Sequence, residues 1–451
     1  MRKDDEPAHG VSLREATKVW GYVGINSFGG PAGQISVMHR EIVEERHWVS
    51  ESRFLHALNY CMVLPGPEAQ QLATYIGWLM HGVRGGVIAG TFFIIPGFIA
   101  MLALSIIYAT LGSVTWISGI FTGVQAAVVV LVIHAFIRIS KRALTTPLLK
   151  IIAVASFLAI FLFNAPFPLL VVSAGIVGWL ISRSTIGSTA AKSSHGPTPL
   201  LADDAVPSTR AARFAFRAAV ICAVLWVLPI IALVLITGTE SVFTQEAFLF
   251  SKAALVTFGG AYAVLGYVAQ QAVGRYGWVS SSEMATGLGL AESTPGPLIM
   301  VVQFIGFLAA YHNPGQLPPI VAGVIGSLIT VWVTFVPCFL FIFLGAPFAE
   351  RLRGNASLAG ALAAISAAVS GVILDLAAWF ALHTFFANVT DRSWGPITIA
   401  FPDPTSIQLP ALIIAAIAAL LLFKFKLSTL RLLGICSALG FIAAVLGLTS
   451  T

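Results

Sequence analysis

Two kinds of backbone break carry the chemistry legible in this sequence. Phe28-Gly29-Gly30 and Phe258-Gly259-Gly260 form one pair, Pro65-Gly66-Pro67 and Pro295-Gly296-Pro297 the other, and each lies inside a long apolar run. Glycine weakens helix order, and proline removes an amide hydrogen and clashes with the preceding turn, so each block ends one helical segment and starts another. A half-helix beginning at such a break aims free N–H groups and the positive end of its dipole at the break, which suits an anion. Pro67 and Pro297 fall at a first helical position, where a missing N–H costs little. Polar side chains gather at the same places. Glu68, Gln70, Gln71 and Thr74 follow the first PGP; Glu292, Ser293 and Thr294 precede the second, with Gln303 beyond it. Asn26, Ser27 and Gln34 flank the first FGG, while Lys252 and Thr257 precede the second.

The expected site therefore consists of the four breaks with Gln70 and Gln71 as neutral contacts. Lys252, in an otherwise apolar segment, either pairs with the anion or snorkels to the outer interface. Glu68, Glu292 and Asp375 are the carboxylates available for proton exchange within a membrane. Glu68 also suits capping of its half-helix, and Asp375 and His134 also suit helix–helix hydrogen bonding. A lone Gly or Pro in a membrane helix is more often a packing device, but four breaks matched in pairs point to a common site.

Other chemistries find no support. There is no HExxH, no GxSxG and no GxxxxGK[ST], which argues against a membrane enzyme and against direct drive by ATP. Cys61, Cys222, Cys338 and Cys436 stand singly in apolar runs, so neither a metal site nor a disulfide framework is expected, and no cofactor is called for.

The elements that must position these residues are membrane helices. Of 451 residues 57% are hydrophobic and 10% charged, and apolar runs of near-spanning length recur throughout. The first run begins after Lys18 without a short core and cleavage site, so no removable signal peptide is expected. The net charge of +6 is read first as an orientation signal, not as a nucleic-acid surface.

The breaks also reveal a duplication. The two PGP blocks are 230 residues apart, and residues 28–67 set against 258–297 without a gap share 12 identities in 40, including FGG, Trp-Val-Ser and PGP. Beyond a small gap the offset becomes 241, where Pro96 meets Pro337 and His134 meets Asp375. A fixed channel is disfavoured, because two related halves with broken helices suit alternating access.

The chain divides into a first repeat (1–182), a polar linker (183–212), a connecting apolar helix (213–237) and a second repeat (238–451). Six segments per repeat and one connecting helix place the second repeat upside down relative to the first. Charge agrees. Arg138, Lys141, Arg142 and Lys150, and the arginines around the linker, mark cytoplasmic loops, whereas the turn at 164–168 is uncharged. In the second repeat the pattern reverses, with Arg351, Arg353, Lys424, Lys426 and Arg431 at the opposite turns. The fold expected is thus an all-α polytopic protein of two inverted repeats, amino terminus cytoplasmic and carboxyl terminus periplasmic.

The stretches FGGPAGQI (28–35), LPGPEAQQLATYIGW (64–78), FGGAYAVLGYV (258–268) and STPGPLIMVVQFIGF (293–307) resemble the long-chain chromate ion transporter family over essentially residues 14–448. The resemblance implies export of chromate, a tetrahedral dianion, across the bacterial inner membrane, driven by the proton-motive force and conferring chromate resistance. The family's motif positions fall on Phe28, Gly29, Gly30, Pro65, Gly66, Pro67, Gln70, Gln71, Phe258, Gly259, Gly260, Pro295, Gly296 and Pro297. A sulfate or other oxyanion uptake carrier on the same scaffold is the alternative. The partners implied are the lipid bilayer and chromate, with sulfate as a competitor and a homodimer as a candidate assembly.

Overall fold

A computed structural model of the chain describes residues 10–112, 114–184, 209–258, 260–346, 356–395 and 397–448. Gly259, Arg351, Arg353, Thr451 and most of the linker lie outside the described residues. The protein is an all-α polytopic membrane protein with one small β-hairpin. Its helices are α1 (Leu13–Asn26), α2 (Gly30–His39), α3 (Glu51–Val63), α4 (Glu68–Leu111), α5 (Thr115–Ala143), α6 (Pro147–Phe163), α7 (Phe167–Ser184) and α8 (Thr209–Thr237). There follow α9 (Val242–Val256), α10 (Ala261–Ala269), α11 (Ser281–Ser293), α12 (Val301–His312), α13 (Pro319–Gly345) and α14 (Ala356–Phe385). Strands β1 (Val389–Trp394) and β2 (Ile397–Pro402) pair antiparallel before α15 (Leu409–Ala419) and α16 (Thr429–Val445). The hairpin is not foreshadowed in the apolar pattern, which is silent on exposed strands.

Residues 68–111 are helical almost throughout, yet they do not form one rod. His81 and Gly82 leave helical geometry, and the arms fold back on each other: a methyl group on Gly77 would lie 2.5 Å from the carbonyl of Gly85. In the second half α12 folds back on α13 through the equivalent positions, since a methyl group on Gly326 would lie 2.5 Å from the carbonyl of Gly306. Small residues let the two backbones touch where apolar lipid offers no driving force for association.

The duplication extends to individual hydrogen bonds. A π-helical turn follows α2 at Arg40–Glu45 and α10 at Gln270–Arg275, and a left-handed residue follows each, His47 and Gly277. Trp48 N–H donates to Ile42 at 2.8 Å and Trp278 N–H to Ala272 at 2.8 Å. Ser50 caps α3 and Ser280 caps α11 through side-chain bonds to the third helical N–H. The serines at these helix starts satisfy amides that would otherwise be orphaned.

The halves do not pack as separate bodies. α14 lies against α5, α6 and α7, α16 lies along α5, and α4 contacts α12 and α13. The smaller core, around Trp20, Phe54 and Phe93, takes Ile342 and Phe343 from α13 and Ala215 from α8. The connecting helix α8 is the most peripheral of the long apolar helices, touching α13, α9 and α4.

Candidate functional site

The four breaks meet by crossing over between halves. Gly66 N–H in the first PGP donates to the carbonyl of Thr257 before the second FGG, at 2.8 Å. Gly296 N–H in the second PGP donates to the carbonyl of Ser27 before the first FGG, at 3.0 Å. Each PGP also rests on a helix of the other half. A methyl group on Gly66 would lie 2.8 Å from Cys338 Sγ on α13, and one on Gly296 would lie 3.0 Å from Gly97 Cα on α4. Gly97 and Cys338 are 241 residues apart, so the two junctions use equivalent positions. Both glycines have φ in the left-handed region, 127° and 91°, so any side chain here meets strain as well as a wall. Gln34 ties the junction further, its Nε2 donating to Gly296 O at 2.6 Å.

The carboxylates cross over too. Glu292, at the end of α11, is buried beside Gly30, where a methyl group would lie 3.6 Å from Oε2, and it accepts a hydrogen bond from Tyr262 Oη. Glu68, the first residue of α4, lies beside Gly260, where a methyl group would lie 3.8 Å from Oε1. Each acid thus faces the start of a half-helix from the opposite repeat, α2 or α10. None of the helical segments that begin at the four breaks has a side-chain cap. Among helices that begin in ordinary loops, α1, α3, α6 and α11 are capped by Ser12, Ser50, Thr146 and Ser280, whereas α5, α9, α13, α15 and α16 have no side-chain cap either, so what sets the break-born starts apart is the buried acid beside them. The free amides and positive ends of α2 and α10 can attract these acids or another anion.

A cavity of about 260 Å³ opens beside this junction. It is lined by Pro31 and Ala32 at the start of α2, Gly260 and Tyr262 at the start of α10, Glu68, and Arg138 and Arg142 from the end of α5. Arg138 is close enough to Glu68, Glu292 and Tyr262 to act on all three electrostatically. Two guanidiniums one helical turn apart, facing two half-helix starts, can hold an oxyanion through several oxygens at once.

The predicted residues divide into three groups. Gly30, Gly66, Gly260, Gly296, Glu68 and Glu292 come together, with Pro65, Pro67, Pro295 and Pro297 shaping the junctions and Gly29 forming the left-handed start of α2. Phe28 and Phe258 are half-buried in the turns ahead of α2 and α10. Gln70 and Gln71 are wholly buried, but their amides serve the fold: Gln70 Nε2 donates to Thr74 Oγ1 and Gln71 Nε2 to Pro65 O. Their Oε1 atoms have no hydrogen-bond partner among the described residues. Lys252 is exposed on α9 and does not line the cavity. Asp375 lies in a different cavity of about 280 Å³, with Asn164, Gln270, Trp379, His383 and Asp391. His134 packs edge-on against Phe423.

Arg138, Arg142 and Tyr262 were missed as site residues. The arginines read as orientation signals at a loop, although their four-residue spacing on a helix placed them on one face. Tyr262 carries no sequence signal beyond its place two residues after FGG.

The sequence comparisons identify the family. The family model described as Chromate transporter matches residues 15–179 and 244–442, which takes in all four breaks and both junction helices. The chain belongs to the chromate transporter family. A probable chromate transport protein of Synechococcus elongatus is 27% identical over 435 residues, covering 94% of this chain and 100% of the relative. A chromate transport protein of Pseudomonas aeruginosa is 34% identical over 361 residues, 78% of each chain, and one of Cupriavidus metallidurans is 26% identical over 420 residues, 92% and 89%. No solved structure matches the chain. The membrane transporter expected from sequence is thus supported by both the helices and the relatives.

Proposed function

We propose that the protein is a secondary active exporter of chromate in the bacterial inner membrane, driven by the proton-motive force and conferring resistance. The observation that carries this is the cavity where two uncapped half-helix starts, one from each repeat, face Arg138 and Arg142. A dianion leaving water needs several compensating donors at once, and helix ends plus guanidiniums supply them. The names of the relatives favour chromate; sulfate, with the same shape and charge, is the natural competitor.

The sidedness follows from charge. Arg138, Lys141 and Arg142 end α5, and the contact of His134 with Phe423 brings the Lys424–Lys426 turn to that same end of the bundle. Basic loops favour the cytoplasm, so the arginine-lined cavity opens inward and the second repeat is inverted relative to the first. Reporter fusions after Ser184 and at the carboxyl terminus should therefore report opposite sides; a common side would remove the inverted arrangement.

The acids supply the coupling. Glu68 and Glu292, when ionised, compete with a bound anion for the half-helix ends, so anion capture is favoured when one of them takes up a proton. Asp375, at the opposite end, would return protons to the outer water. A dianion leaving with one proton still carries one negative charge outward, worth about 2.3 kcal/mol per 100 mV of membrane potential, negative inside, so the potential component of the proton-motive force drives export while an alkaline interior opposes it. Purified protein in vesicles should move chromate under an imposed potential and pH gradient, with sulfate inhibiting. Chromate flux that ignores both gradients would overturn the secondary active reading.

A further inference from the structure

Glu246, on α9, takes no part in the crossed breaks and has no counterpart in the first half, where the equivalent position is Ala16. It is fully buried, and neither carboxylate oxygen has a hydrogen-bond partner among the described residues. The helices packed on α9 are α8, α10, α12 and α13. Their titratable side chains, Arg213, Arg217 and Cys222 on α8, Tyr262 and Tyr267 on α10, Tyr311 and His312 on α12, and Cys338 on α13, make no hydrogen bond or ion pair with it among the described residues. An ionised carboxylate in such a place would cost many kcal/mol, so Glu246 stands here as the neutral acid.

What covers it is the α12–α13 hairpin. A methyl group on Gly326 of α13 would lie 3.1 Å from Glu246 Oε2, and on the same hairpin Thr330 Oγ1, Thr334 Oγ1 and Gln303 Oε1 are buried without hydrogen-bond partners among the described residues. The hairpin is tied directly to the break. α12 follows the second PGP, Ser327 Oγ donates to Gln303 O at 3.4 Å, and Gln303 Nε2 donates to Phe98 O at 3.0 Å, next to Gly97 against which Gly296 rests. A shift of the PGP junction must therefore move the cover of Glu246.

Resting on the reading of the chain as a proton-coupled chromate exporter, we propose that Glu246 is a further proton-carrying site of the transport cycle, neutral while the α12–α13 hairpin covers it and ionised when the hairpin moves and admits water. The step is a simple proton transfer: the carboxyl O–H bond breaks, its electron pair stays on the carboxylate, and water accepts the proton. The reverse step reloads the site before the hairpin closes.

The test compares the parent with Glu246→Gln and Glu246→Asp in proteoliposomes, using chromate. Glu246→Gln keeps the shape of the neutral acid. It should retain chromate–chromate exchange within about twofold while losing at least about tenfold of the pH-gradient-driven rate, and Glu246→Asp should restore part of that rate. Infrared spectra of the purified proteins should show a protonated-carboxyl band in the parent that Glu246→Gln lacks. A pH-driven rate in Glu246→Gln equal to the parent overturns the assignment, as does loss of exchange in a variant with the parent's thermal stability, or identical infrared spectra. If the parent itself transports no chromate, the exporter reading falls first and this site falls with it.

Discussion

The two ends of the helix bundle use the same backbone to present opposite charge. Arg138 and Arg142 line the cavity at the end of α5; at the 241-residue offset their places are taken by Trp379 and His383 on α14, which line the other cavity with Asp375 and Asp391. The breaks, by contrast, are nearly interchangeable: each PGP glycine donates to the carbonyl ahead of the other half's FGG and rests on an equivalent helix position. Duplication has kept the joints alike while the side chains diverged. On the proposed reading of the chain as an exporter, unlike charges at the two faces of a symmetric scaffold would give an anion a direction: attraction where it is captured, repulsion where it is released.

The likeness of the joints is broken most severely by a side chain at either glycine. Gly66→Val meets Gln71 Nε2 at 2.7 Å and Cys338 Sγ at 2.8 Å, and Gly296→Val meets the Gly97 backbone. With φ positive as well, about 1–3 kcal/mol of backbone strain adds to the clash. Both variants should reach the membrane and lose transport to background, measured as chromate flux per inserted protein. Loss at one glycine alone would show that the halves do not share one joint; full activity at both would make the breaks packing devices.

The difference in charge is tested next. Arg138→Gln removes a guanidinium from the cavity at the end of α5, and a charge-assisted hydrogen bond is worth about 1.5–3 kcal/mol, so the apparent affinity for chromate at the face proposed as inner should weaken about 10- to 100-fold. Trp379, its counterpart, changed to Phe should shift that affinity by no more than about twofold. Equal losses at both positions would mean that the arginine acts through packing alone.

How far such a site could be read in advance depended on the kind of signal. Gly, Pro and Trp blocks survive duplication because backbone geometry depends on them, so the breaks, their pairing and the helical segments were visible as repeated letters. Gln70 and Gln71 were legible as buried polar residues at a break, but not that their amides close the turn on Pro65 and Thr74. Lys252 drew attention as a charge in an apolar run, yet helix phase turns it outward. Arg138 and Arg142 were hidden because a basic loop has a sufficient topological explanation, and only the fold brings the end of α5 beside Pro31, 107 residues before Arg138, and Gly260, 118 residues after Arg142. The crossing of each break onto the other half is a tertiary fact that no local pattern encodes.

The smallest effect concerns the Asp375 cavity, proposed to open outward, and probes whether its charge is more than incidental. A dianion passing roughly 8 Å from one carboxylate in water feels about 1 kcal/mol of repulsion, and ionic screening over a Debye length of about 8 Å cuts this to less than half at physiological salt. Asp375→Asn leaves the shape of the cavity and removes that charge, while Asn164, Gln270 and His383 around it stay in place. Chromate–chromate exchange started from the outer face should then reach half its maximum at about fivefold lower external chromate in low salt, the gain shrinking towards about twofold at 0.15 M. Arg138→Gln, measured from the same side, should show no such gain at either salt. A salt-independent change in Asp375→Asn would mark the residue as a helix–helix contact, and no change at all would leave the direction of transport to the inner arginines and the membrane potential.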